Sequence, residues 1–380
     1  MKIAIIHHFY NQTVSSGENV VVVEQVESLK RAGHQVQIFS TQGSEIESIF
    51  QKVKTGIELA AGRGANFQSS IEAFNPDLVH VHNTFPGIST NDIERLGYPK
   101  IMTLHNFRFI CANGTLFRSG LECNDCIGGS KFPALLHKCY RNSSMATLPI
   151  VIVQSGNRLQ KFLQCFQKIV IVNEEIIEKL KNDGIQIDNA SVLPNYVVDP
   201  LVRDLGQSRQ GYVFCGRLTQ EKGISWLLER WPQSGPVLDV FGSGPEELLV
   251  SGYERGNINI RGLVGRDSLL EALSNYRALI LPSLWAEGSP LVVIEALSLG
   301  LPVLAHENTS IGKRLAAFKA GVLFGDENSL IASISKVEKN YEIYSFNARK
   351  FYLQNHSELG WVSQIEKIYQ EAIEKFDSEI

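Results

Sequence analysis

Short apolar runs alternate along the chain with segments in which apolar residues recur at helical spacing. The runs "KIAIIHH" and "HQVQIFS" are of strand type, and between them residues 18–32 carry Val, Leu and Ala at helical spacing up to Gly33. Strands buried on both faces read as continuous Val, Ile and Leu runs, and strands that alternate with helices form parallel sheets. The pattern therefore predicts an α/β fold.

The alternation occurs in two series. The first continues through the strands "PDLVHVHN", "PKIMTLHN" and "KIVIVN" to a polar helix in "EEIIEKLKNDG". The second starts at residue 211 and runs through "GYVFCGRL", the helix "ISWLLERW", "VLDVFGSG", "NINIRGLV", the helix "RDSLLEALSNY", "RALILPSL", the helix "PLVVIEALSLG" and "LPVLAHE". Two such series predict two Rossmann-like domains, each built on a parallel sheet.

The length and one irregular segment place the domain boundary. A chain of 380 residues is too long for one core of ordinary size. Residues 193–211 contain two prolines and polar residues without periodicity, which is typical of a linker. We expect an N-terminal domain over 1–195 and a C-terminal domain over 196–356. Residues 357–380 predict one amphipathic charged helix whose partner the sequence does not identify; a return to the N-terminal domain is one arrangement open to it.

Composition and charge exclude some classes of function. With 44% hydrophobic and 20% charged residues, the chain has the composition of a folded soluble protein. The formal net charge of -4 argues against a general nucleic-acid binder. Residues 90–170 nevertheless contain ten Lys or Arg against four acids. This excess suits an anionic membrane surface or a lipid-pyrophosphate acceptor, and a solvated, unbalanced face is the alternative.

The N-terminus and the cysteines indicate the compartment. "MKIAIIHHFYNQ" lacks the hydrophobic segment of a secretory signal, and no stretch is long and apolar enough to span a bilayer. We expect a cytoplasmic protein, at the inner face of the membrane if the basic excess meets lipid. Six cysteines in a reducing compartment are thiols or metal ligands rather than disulfides.

One segment holds four of the cysteines among glycines. Four thiolates can bind zinc tetrahedrally, and the segment contains a Cys-x2-Cys pair. Free thiols, or disulfides formed on oxidation, are the alternatives, and Cys165 and Cys215 are expected to be ordinary buried thiols. The residues predicted to hold a structural zinc are Cys111, Cys123, Cys126 and Cys139.

The stretch "LWAEGSPLVVIEALSLG", residues 284–300, places two carboxylates in an otherwise apolar run. It predicts a turn followed by a helix with Ser289 as N-cap and Pro290 at the first helical position. Ligands bind at the carboxyl ends of strands in such sheets, and a helix N-terminus attracts anions. Carboxylates accept hydrogen bonds from sugar hydroxyls, so Glu287 and Glu295 would flank a bound phosphate. Alternatively, Glu287 is a solvated loop residue and Glu295 caps a buried N–H or pairs with an Arg.

Two further loops carry candidate ligands. In "CGRLTQEKG", Arg217 and Lys222 follow a strand and suit a pyrophosphate, although two surface cations would give the same pattern. "VFGSGPEE" supplies Gly242 and Gly244 but has Glu247 where a dinucleotide fingerprint has its third glycine. It is a weak cofactor signal that permits close approach of a ligand to the backbone.

Together these motifs resemble the retaining glycosyltransferases of family four, which have the GT-B fold. The resemblance rests on "GRLTQEKG", "VFGSGP", "GLV" and the two glutamates of "EGSPLVVIEA", over most of residues 211–305. In the N-terminal half, "SGEN", "PDLVHVHN" and "TLHNFRFICANGTLF" resemble the family too, and the last is similar to bacterial exopolysaccharide and capsule enzymes. The resemblance implies two domains facing across a cleft, with a nucleotide-sugar donor mainly on the C-terminal one and the acceptor mainly on the N-terminal one.

The resemblance also implies a role for each matching residue. Glu295 would hold the ribose, Arg217 and Lys222 the diphosphate, and Glu287 the donor sugar. His105 would face the donor sugar from the other domain, and the loop with Gly17 and Glu18 would approach the phosphates and acceptor, although Ser16 stands where many members have a second glycine. The remaining donor contacts would come from Gly242, Val264, Gly288, Ser289, Leu291 and Val292.

The chemistry then follows from charge. Arg217, Lys222 and the helix dipole can stabilise a departing pyrophosphate without a metal, and the sequence lacks an Asp-x-Asp pair. No second carboxylate is evident on the N-terminal strands to act as a nucleophile about 5 Å from an acid. We therefore expect front-face attack with the departing phosphate as base, and His105 would orient and polarise. His105, like His7, His8, His80 and His82, is equally compatible with a structural place at a strand end.

The predicted function is metal-independent transfer of a hexose to a glycan or lipid-linked acceptor in polysaccharide biosynthesis. UDP-glucose is the donor that the family's habits favour. A GT-B nucleotide-sugar epimerase would instead need an acid and base pair at the sugar. An NAD-dependent dehydrogenase would need an intact G-x-G-x-x-G after the first strand, which "IIHHFYNQTVSSGEN" lacks.

Overall fold

The computed structural model describes residues 1–10, 16–43, 49–155, 158–200, 209–285 and 287–379. The chain divides into two compact units. The first comprises Met1–Leu116, Asn124–Pro194 and Trp361–Ile380, and the second comprises Phe117–Cys123 and Asn195–Gly360. Much of the expected linker, residues 201–208, lies outside the described residues.

Strands and helices alternate in both units. In chain order the strands are β1 (Lys2–Phe9), β2 (Gln35–Gln42), β3 (Leu78–Val81), β4 (Lys100–Leu104), β5 (Phe117–Arg118), β6 (Leu121–Glu122), β7 (Lys168–Ile171), β8 (Ala190–Val192), β9 (Tyr212–Cys215), β10 (Leu238–Phe241), β11 (Ile258–Gly262), β12 (Ala278–Leu281), β13 (Val303–His306) and β14 (Gly321–Phe324). The helices are α1 (Gly17–Arg31), α2 (Ile49–Ala61), α3 (Gln68–Phe74), α4 (Thr90–Arg95), α5 (Phe132–Leu136), α6 (Ser144–Gln154), α7 (Arg158–Gln164), α8 (Glu174–Asn182), α9 (Ile224–Arg230), α10 (Glu247–Ser251), α11 (Arg266–Leu273), α12 (Leu291–Ser298), α13 (Ser310–Ala317), α14 (Glu327–Lys339), α15 (Tyr341–Asn355) and α16 (Glu358–Glu379).

Each unit is built on a six-stranded sheet. The order is β2-β1-β3-β4-β7-β8 in the first unit and β11-β10-β9-β12-β13-β14 in the second. Every strand pair within these two sheets is parallel. The short strands β5 and β6 form a separate antiparallel pair. The prediction of two Rossmann-like parallel-sheet domains is therefore confirmed.

The continuous apolar runs arise because both faces of each sheet are covered. In the second unit, Val213 and Cys215 belong to one buried cluster, and Tyr212 and Phe214 belong to another. Successive side chains of a strand point to opposite faces, so this alternation places the two clusters on opposite sides of β9. A strand with a core on each side cannot show polar alternation, which is why the run reads as hydrocarbon throughout.

Most of the C-terminal helix α16 belongs to the first unit and forms polar contacts with other parts of it. The Tyr369 hydroxyl lies 2.8 Å from Nδ1 of His80, and Glu366 Oε1 lies 2.8 Å from Nε2 of His34. Tyr369 is fully buried. No helix within the described residues is long and apolar enough to cross a bilayer.

Candidate active site

Lys222 and Glu287 form a partly buried ion pair at the carboxyl ends of two adjacent strands of the second unit. The Lys222 Nζ donates a hydrogen bond to Glu287 Oε1 at 2.7 Å, and the Ser283 hydroxyl donates to the same oxygen. The Glu287 residue is only 4% exposed. An ammonium carries three N–H donors, so Lys222 can bind a further anionic oxygen while it holds Glu287.

The two loops that carry this pair lie against each other because β9 and β12 are neighbours in the sheet. A 3-10 turn, Gln220–Lys222, presents Lys222 and ends at Gly223, whose φ is +69°. A Cβ at Gly223 would lie 2.0 Å from the carbonyl oxygen of Pro282, so only glycine permits this approach. The backbone N–H of Leu284 also donates to the carbonyl of Glu221 at 2.9 Å. The loops therefore fix the position of Lys222 relative to Glu287.

Arg217 lies on the same loop but forms a different contact. Its guanidinium donates to Glu221 Oε1 at 2.9 Å, and its side chain is 47% exposed. An exposed pair of this kind contributes little to stability. The guanidinium can therefore exchange its carboxylate partner for a phosphate at small cost.

Glu295 is buried inside α12 and pairs with Arg266. The Arg266 Nε donates to Glu295 Oε1 at 2.8 Å. The alternative that Glu295 pairs with an arginine thus describes this structure, and the partner itself was missed by sequence reasoning. The sequence feature that could have identified this partner is the position of Arg266, which is the first helical residue after the "GLVG" turn. Burial, with Glu295 nearby, raises the pKa of the Cys215 thiol well above its usual value, so Cys215 is a neutral buried thiol.

The start of α12 differs from the prediction. The N-cap position is Pro290, and the Ser289 hydroxyl does not cap the helix. Instead, Ser289 Oγ accepts a hydrogen bond from the Asn195 N–H at 3.1 Å, while the Asn195 side-chain amide donates to the Ser289 carbonyl at 3.0 Å. Ser289 thus ties this turn to residue 195, and the first turn of α12 keeps its N–H groups without a side-chain cap.

The remaining predicted donor residues have packing explanations of their own. At Gly242 φ is +142°, and a Cβ would lie 1.9 Å from the Gly216 carbonyl oxygen. The glycine is required there by the neighbouring loop of this chain. Val264, Leu291 and Val292 are half-buried and pack against the apolar cluster beneath the sheet, and Gly288 is half-buried in the turn.

His105 lies in the first unit within a stack of histidines at the ends of β1, β3 and β4. Its Nε2 is 3.0 Å from His82 Nδ1, and the two rings stack with centroids 5.3 Å apart. The His80 ring lies 4.1 Å from that of His82, and His7 lies 6.2 Å from it. Because one ring nitrogen must donate and the other accept, the tautomers of His105 and His82 are coupled.

Burial keeps this stack uncharged. It lowers the pKa of His105 and of His80 to about 3 and that of His7 to about 4. Within the described residues, Nε2 of His82 and Nδ1 of His7 are buried without a hydrogen-bond partner. At neutral pH His105 is therefore a neutral imidazole that can orient a hydroxyl but brings no positive charge.

A narrow pocket in the first unit is lined by His105 and by three residues that sequence reasoning did not place in the site. These are His82, Asn106 and Arg108, and the "HN" and "FR" that follow β4 were the available signal. Glu18 lines the same pocket, where its Oε2 accepts from Asn106 Nδ2 at 3.1 Å. Burial raises the pKa of Glu18 to about 7, with Arg108 and Asn106 opposing the rise.

The loop before Glu18 is less constrained. Gly17 is exposed at the first position of α1, and a Cβ there would meet nothing within 4 Å. The Ser16 hydroxyl accepts from the Asn19 N–H and caps the helix. Glycine at 17 is therefore not required by packing within this chain.

The predicted four-cysteine zinc site is wrong for this structure. No group of three or more His, Cys, Asp or Glu among the described residues, which include all four cysteines, is placed to hold a metal. The Cys111 thiol donates to Asn113 Oδ1 at 2.9 Å, and Cys126 and Cys139 pack against an apolar cluster that includes Ala134 and Ile150. Packing against hydrocarbon and a local hydrogen bond account for these side chains without a common centre.

Comparison with known proteins gives a consistent result over both units. The model of Glycosyltransferase Family 4 matches residues 15–199, and the model of Glycosyl transferases group 1 matches residues 209–340. An uncharacterized glycosyltransferase of Methanocaldococcus jannaschii is 26% identical over 254 residues, which cover 62% of this chain and 57% of that protein. The chain thus spans less than two thirds of this curated relative.

Solved structures share the whole fold. Sucrose-phosphate synthase from Thermosynechococcus elongatus superposes with a TM-score of 0.70 at 16% identity, over 97% of this chain and 98% of that one. HepE of Anabaena, solved in complex with UDP and glucose, superposes with a TM-score of 0.63 at 13% identity, over 97% and 98%. A glycosyltransferase from Rickettsia africae gives 0.65 at 16% identity, over 98% of both chains. These likenesses concern the fold.

Proposed function

Since the chain has the GT-B fold, we propose that it is a glycosyltransferase that transfers a hexose from a nucleotide sugar, with UDP-glucose favoured, and retains the anomeric configuration. The acceptor is a glycan or a lipid-linked saccharide in polysaccharide biosynthesis. The observation that carries the proposal is the Lys222–Glu287 pair, in which Nζ and Oε1 are 2.7 Å apart on adjacent loops. The pair places a cation that can bind phosphate next to a carboxylate that can accept hydrogen bonds from sugar hydroxyls.

The donor binds to the second unit. Lys222 bridges Glu287 and the diphosphate, and Arg217 leaves Glu221 to contact a phosphate oxygen bidentately. Glu287 accepts hydrogen bonds from the sugar hydroxyls, and Glu295, held by Arg266, accepts from the ribose. The uncapped N–H groups at the start of α12 add positive potential for the diphosphate.

The chemistry is driven by stabilisation of the leaving group. As the bond between the anomeric carbon and the phosphate oxygen breaks, negative charge grows on the diphosphate. Lys222 and Arg217 therefore stabilise the transition state more strongly than they stabilise the bound donor before the bond breaks. The acceptor hydroxyl attacks from the same face and loses its proton to the departing phosphate. These two cations supply the charge that the step needs, so transfer is metal-independent.

His105 acts as a neutral hydrogen-bonding group. Its pKa of about 3 leaves it uncharged at neutral pH, and its contact with His82 fixes which ring nitrogen carries the proton. It therefore orients a substrate hydroxyl without serving as nucleophile or acid. HepE was solved in complex with UDP and glucose, and this supports UDP-glucose as the first donor to test on the present chain. Both matching family models describe glycosyltransferases, which favours transfer over the epimerase and dehydrogenase alternatives.

Ligand binding tests the donor before any acceptor is known. A ligand that binds only the folded state raises the thermal midpoint, so a panel of UDP, GDP, ADP and their glucose derivatives should single out UDP and UDP-glucose. A clear midpoint shift with GDP or ADP sugars and none with UDP sugars would overturn the donor assignment.

Variants of the ion pair test the mechanism. Lys222→Ala and Glu287→Gln should each lower the rate of UDP release from UDP-glucose by about 100-fold, since a preorganised charged group contributes about 10²–10³. Arg230→Ala is the matched control, because it removes the exposed pair with Glu229 in the same unit. If Lys222→Ala and Glu287→Gln kept rates within a few-fold of the Arg230→Ala control, the proposed roles would be wrong.

A further inference from the structure

Three helices of the first unit expose large apolar side chains to solvent. They belong to α2, α5 and α6, and each of these side chains is at least 47% exposed, with Met145 at 78% and Ile57 at 65%. We call this set the apolar face. Its members are Ile57, Phe132, Leu136, Met145, Leu148 and Ile152.

The three helices that carry these side chains pack together. Helix α6 packs against both α2 and α5. The Ser144 hydroxyl at the start of α6 donates to the Leu135 carbonyl of α5 at 3.0 Å, and a Cβ at Gly56 of α2 would lie 3.0 Å from Cγ of Pro149. These contacts join α6 to both α5 and α2.

Helix α6 is apolar on both sides. Its inner side buries Thr147, Ile150 and Val151, while Met145, Leu148 and Ile152 follow one another at spacings of three and four on the outer side. The helix contains no charged residue, although a surface helix normally turns a polar face to water. Its outer side is therefore built for an apolar neighbour.

The connection between α5 and α6 places exposed positive charge beside the apolar face. Residues 131–155 contain no Asp or Glu, although Asp125 Oδ2 lies 3.9 Å from Nε2 of His137, and Lys131 is buried in an ion pair with Asp183. Lys138 and Arg141 are exposed on the connection between α5 and α6. Lys54 on α2 is also exposed, at 65%, and lies 3.8 Å from Glu58. Apolar side chains with flanking cations complement a surface that is apolar inside and anionic outside.

We propose that the apolar face docks on an anionic lipid bilayer. The helices lie in the plane of the interface, with Leu148, Ile152 and Met145 inserted into the acyl boundary, and Lys138 and Arg141 at the level of the lipid phosphates. Cations flanking the face favour an anionic bilayer over an apolar groove on another protein. This docking is independent of sugar transfer, and it would hold the first unit at the surface where a lipid-linked acceptor lies.

Sedimentation of the full chain with vesicles tests the docking. We expect binding to vesicles of phosphatidylcholine with phosphatidylglycerol, weaker binding to phosphatidylcholine alone, and weaker binding at high salt because exposed charges are screened. The double variant Leu148→Ser with Ile152→Ser, and the charge variant Lys138→Glu with Arg141→Glu, should each bind at least about ten-fold more weakly.

A second exposed stripe provides the matched control. Ile343 and Phe346 on α15 of the second unit are 56% and 70% exposed, with Glu342 and Lys350 beside them. Ile343→Ser with Phe346→Ser should leave vesicle binding within about two-fold, since the charges beside this stripe, Glu342 and Lys350, have opposite signs. The thermal shift with UDP-glucose should persist in every variant, which verifies the fold and separates docking from donor binding.

Two results would overturn the docking. One is wild-type protein that stays in the supernatant with anionic vesicles at low salt. The other is loss of binding in the α15 control equal to that in the Leu148→Ser, Ile152→Ser variant. If sedimentation velocity showed instead that the apolar face joins two copies of the chain, with Leu148→Ser and Ile152→Ser giving monomers, a protein interface would replace the bilayer.

Discussion

Acidification should destabilise the first unit because its folded state holds several histidines neutral. Burial lowers the pKa of His7 and His8 to about 4 and that of His80 and His105 to about 3. In the unfolded chain a histidine titrates near 6.5. Below pH 6.5 these histidines are therefore protonated in the unfolded state but not in the folded state. The unfolding free energy decreases as the pH is lowered, until the pH reaches the pKa of the folded state.

The size of the effect follows from these values. Between pH 7 and pH 5 each of the four histidines costs about 2 kcal/mol of unfolding free energy. Glu18 acts in the opposite direction: its pKa is raised to about 7, so its folded state takes up a proton before its unfolded state does. Between pH 7 and pH 5 the protonation of Glu18 offsets about 2 kcal/mol of the unfolding free energy that the histidines remove. For these five groups the net loss is about 5–6 kcal/mol, comparable to the whole stability of many domains.

Urea unfolding followed by far-ultraviolet circular dichroism at pH 7, 6 and 5 measures this loss. The slope of the unfolding free energy near pH 5 should correspond to a net uptake of at least about three protons on unfolding, because His82, whose pKa burial also lowers, adds to the four histidines. His105→Asn should reduce that slope by about one proton, because the variant lacks a histidine whose pKa is about 3 in the folded state. Equal stability at pH 7 and pH 5, or a His105→Asn slope equal to that of wild type, would refute the neutral histidine stack.

Two other predictions concern single contacts. Gly242→Ala should lower the unfolding free energy by about 2–4 kcal/mol, because the new Cβ would lie 1.9 Å from the Gly216 carbonyl oxygen. Gly256→Ala is the control and should be tolerated, because its Cβ would meet nothing within 4 Å. Equal thermal midpoints for the two variants would contradict this prediction. Tyr369→Phe should lower the unfolding free energy by about 1–2 kcal/mol, because it removes the hydroxyl that lies 2.8 Å from the buried His80 Nδ1. Tyr253→Phe is the control, because the Tyr253 hydroxyl forms only an exposed contact of 3.4 Å with Glu229. A Tyr369→Phe protein as stable as the Tyr253→Phe protein would show that the buried hydrogen bond contributes nothing.

Several features of the fold could be predicted from local pattern alone. The run "YVFC" became β9 because a strand with a core on both sides must be apolar throughout. Gly300, with φ of +69°, follows the end of α12, where a glycine is common because it adopts the left-handed conformation. The predicted cap at Ser289 failed because a distant residue, Asn195, binds its hydroxyl. Helix and strand signals are local, whereas the partner of a polar side chain depends on residues far along the chain.

The candidate site shows the same division. Sequence reasoning selected Lys222 and Glu287, each next to a glycine, and Glu295 within the following helix. It did not identify Arg266 as the partner of Glu295, nor the stack of His105 on His82. It also grouped four cysteines by spacing, although the described residues include no group of three or more His, Cys, Asp or Glu that is placed to hold a metal. Spacing along the chain gives no distance in space once the chain has turned several times.

By itself, the sequence determined the two series of strands and helices and the residue types that end the strands, because burial and backbone conformation leave a periodic mark on neighbouring positions. Only the tertiary structure decided which strand ends meet. Lys222 reaches Glu287, 65 residues away, because the sheet places β9 beside β12, while His7, His80 and His105 gather because β1, β3 and β4 are adjacent. That order is set by how the crossover helices pack on both faces of the sheet, and no single stretch of residues encodes it.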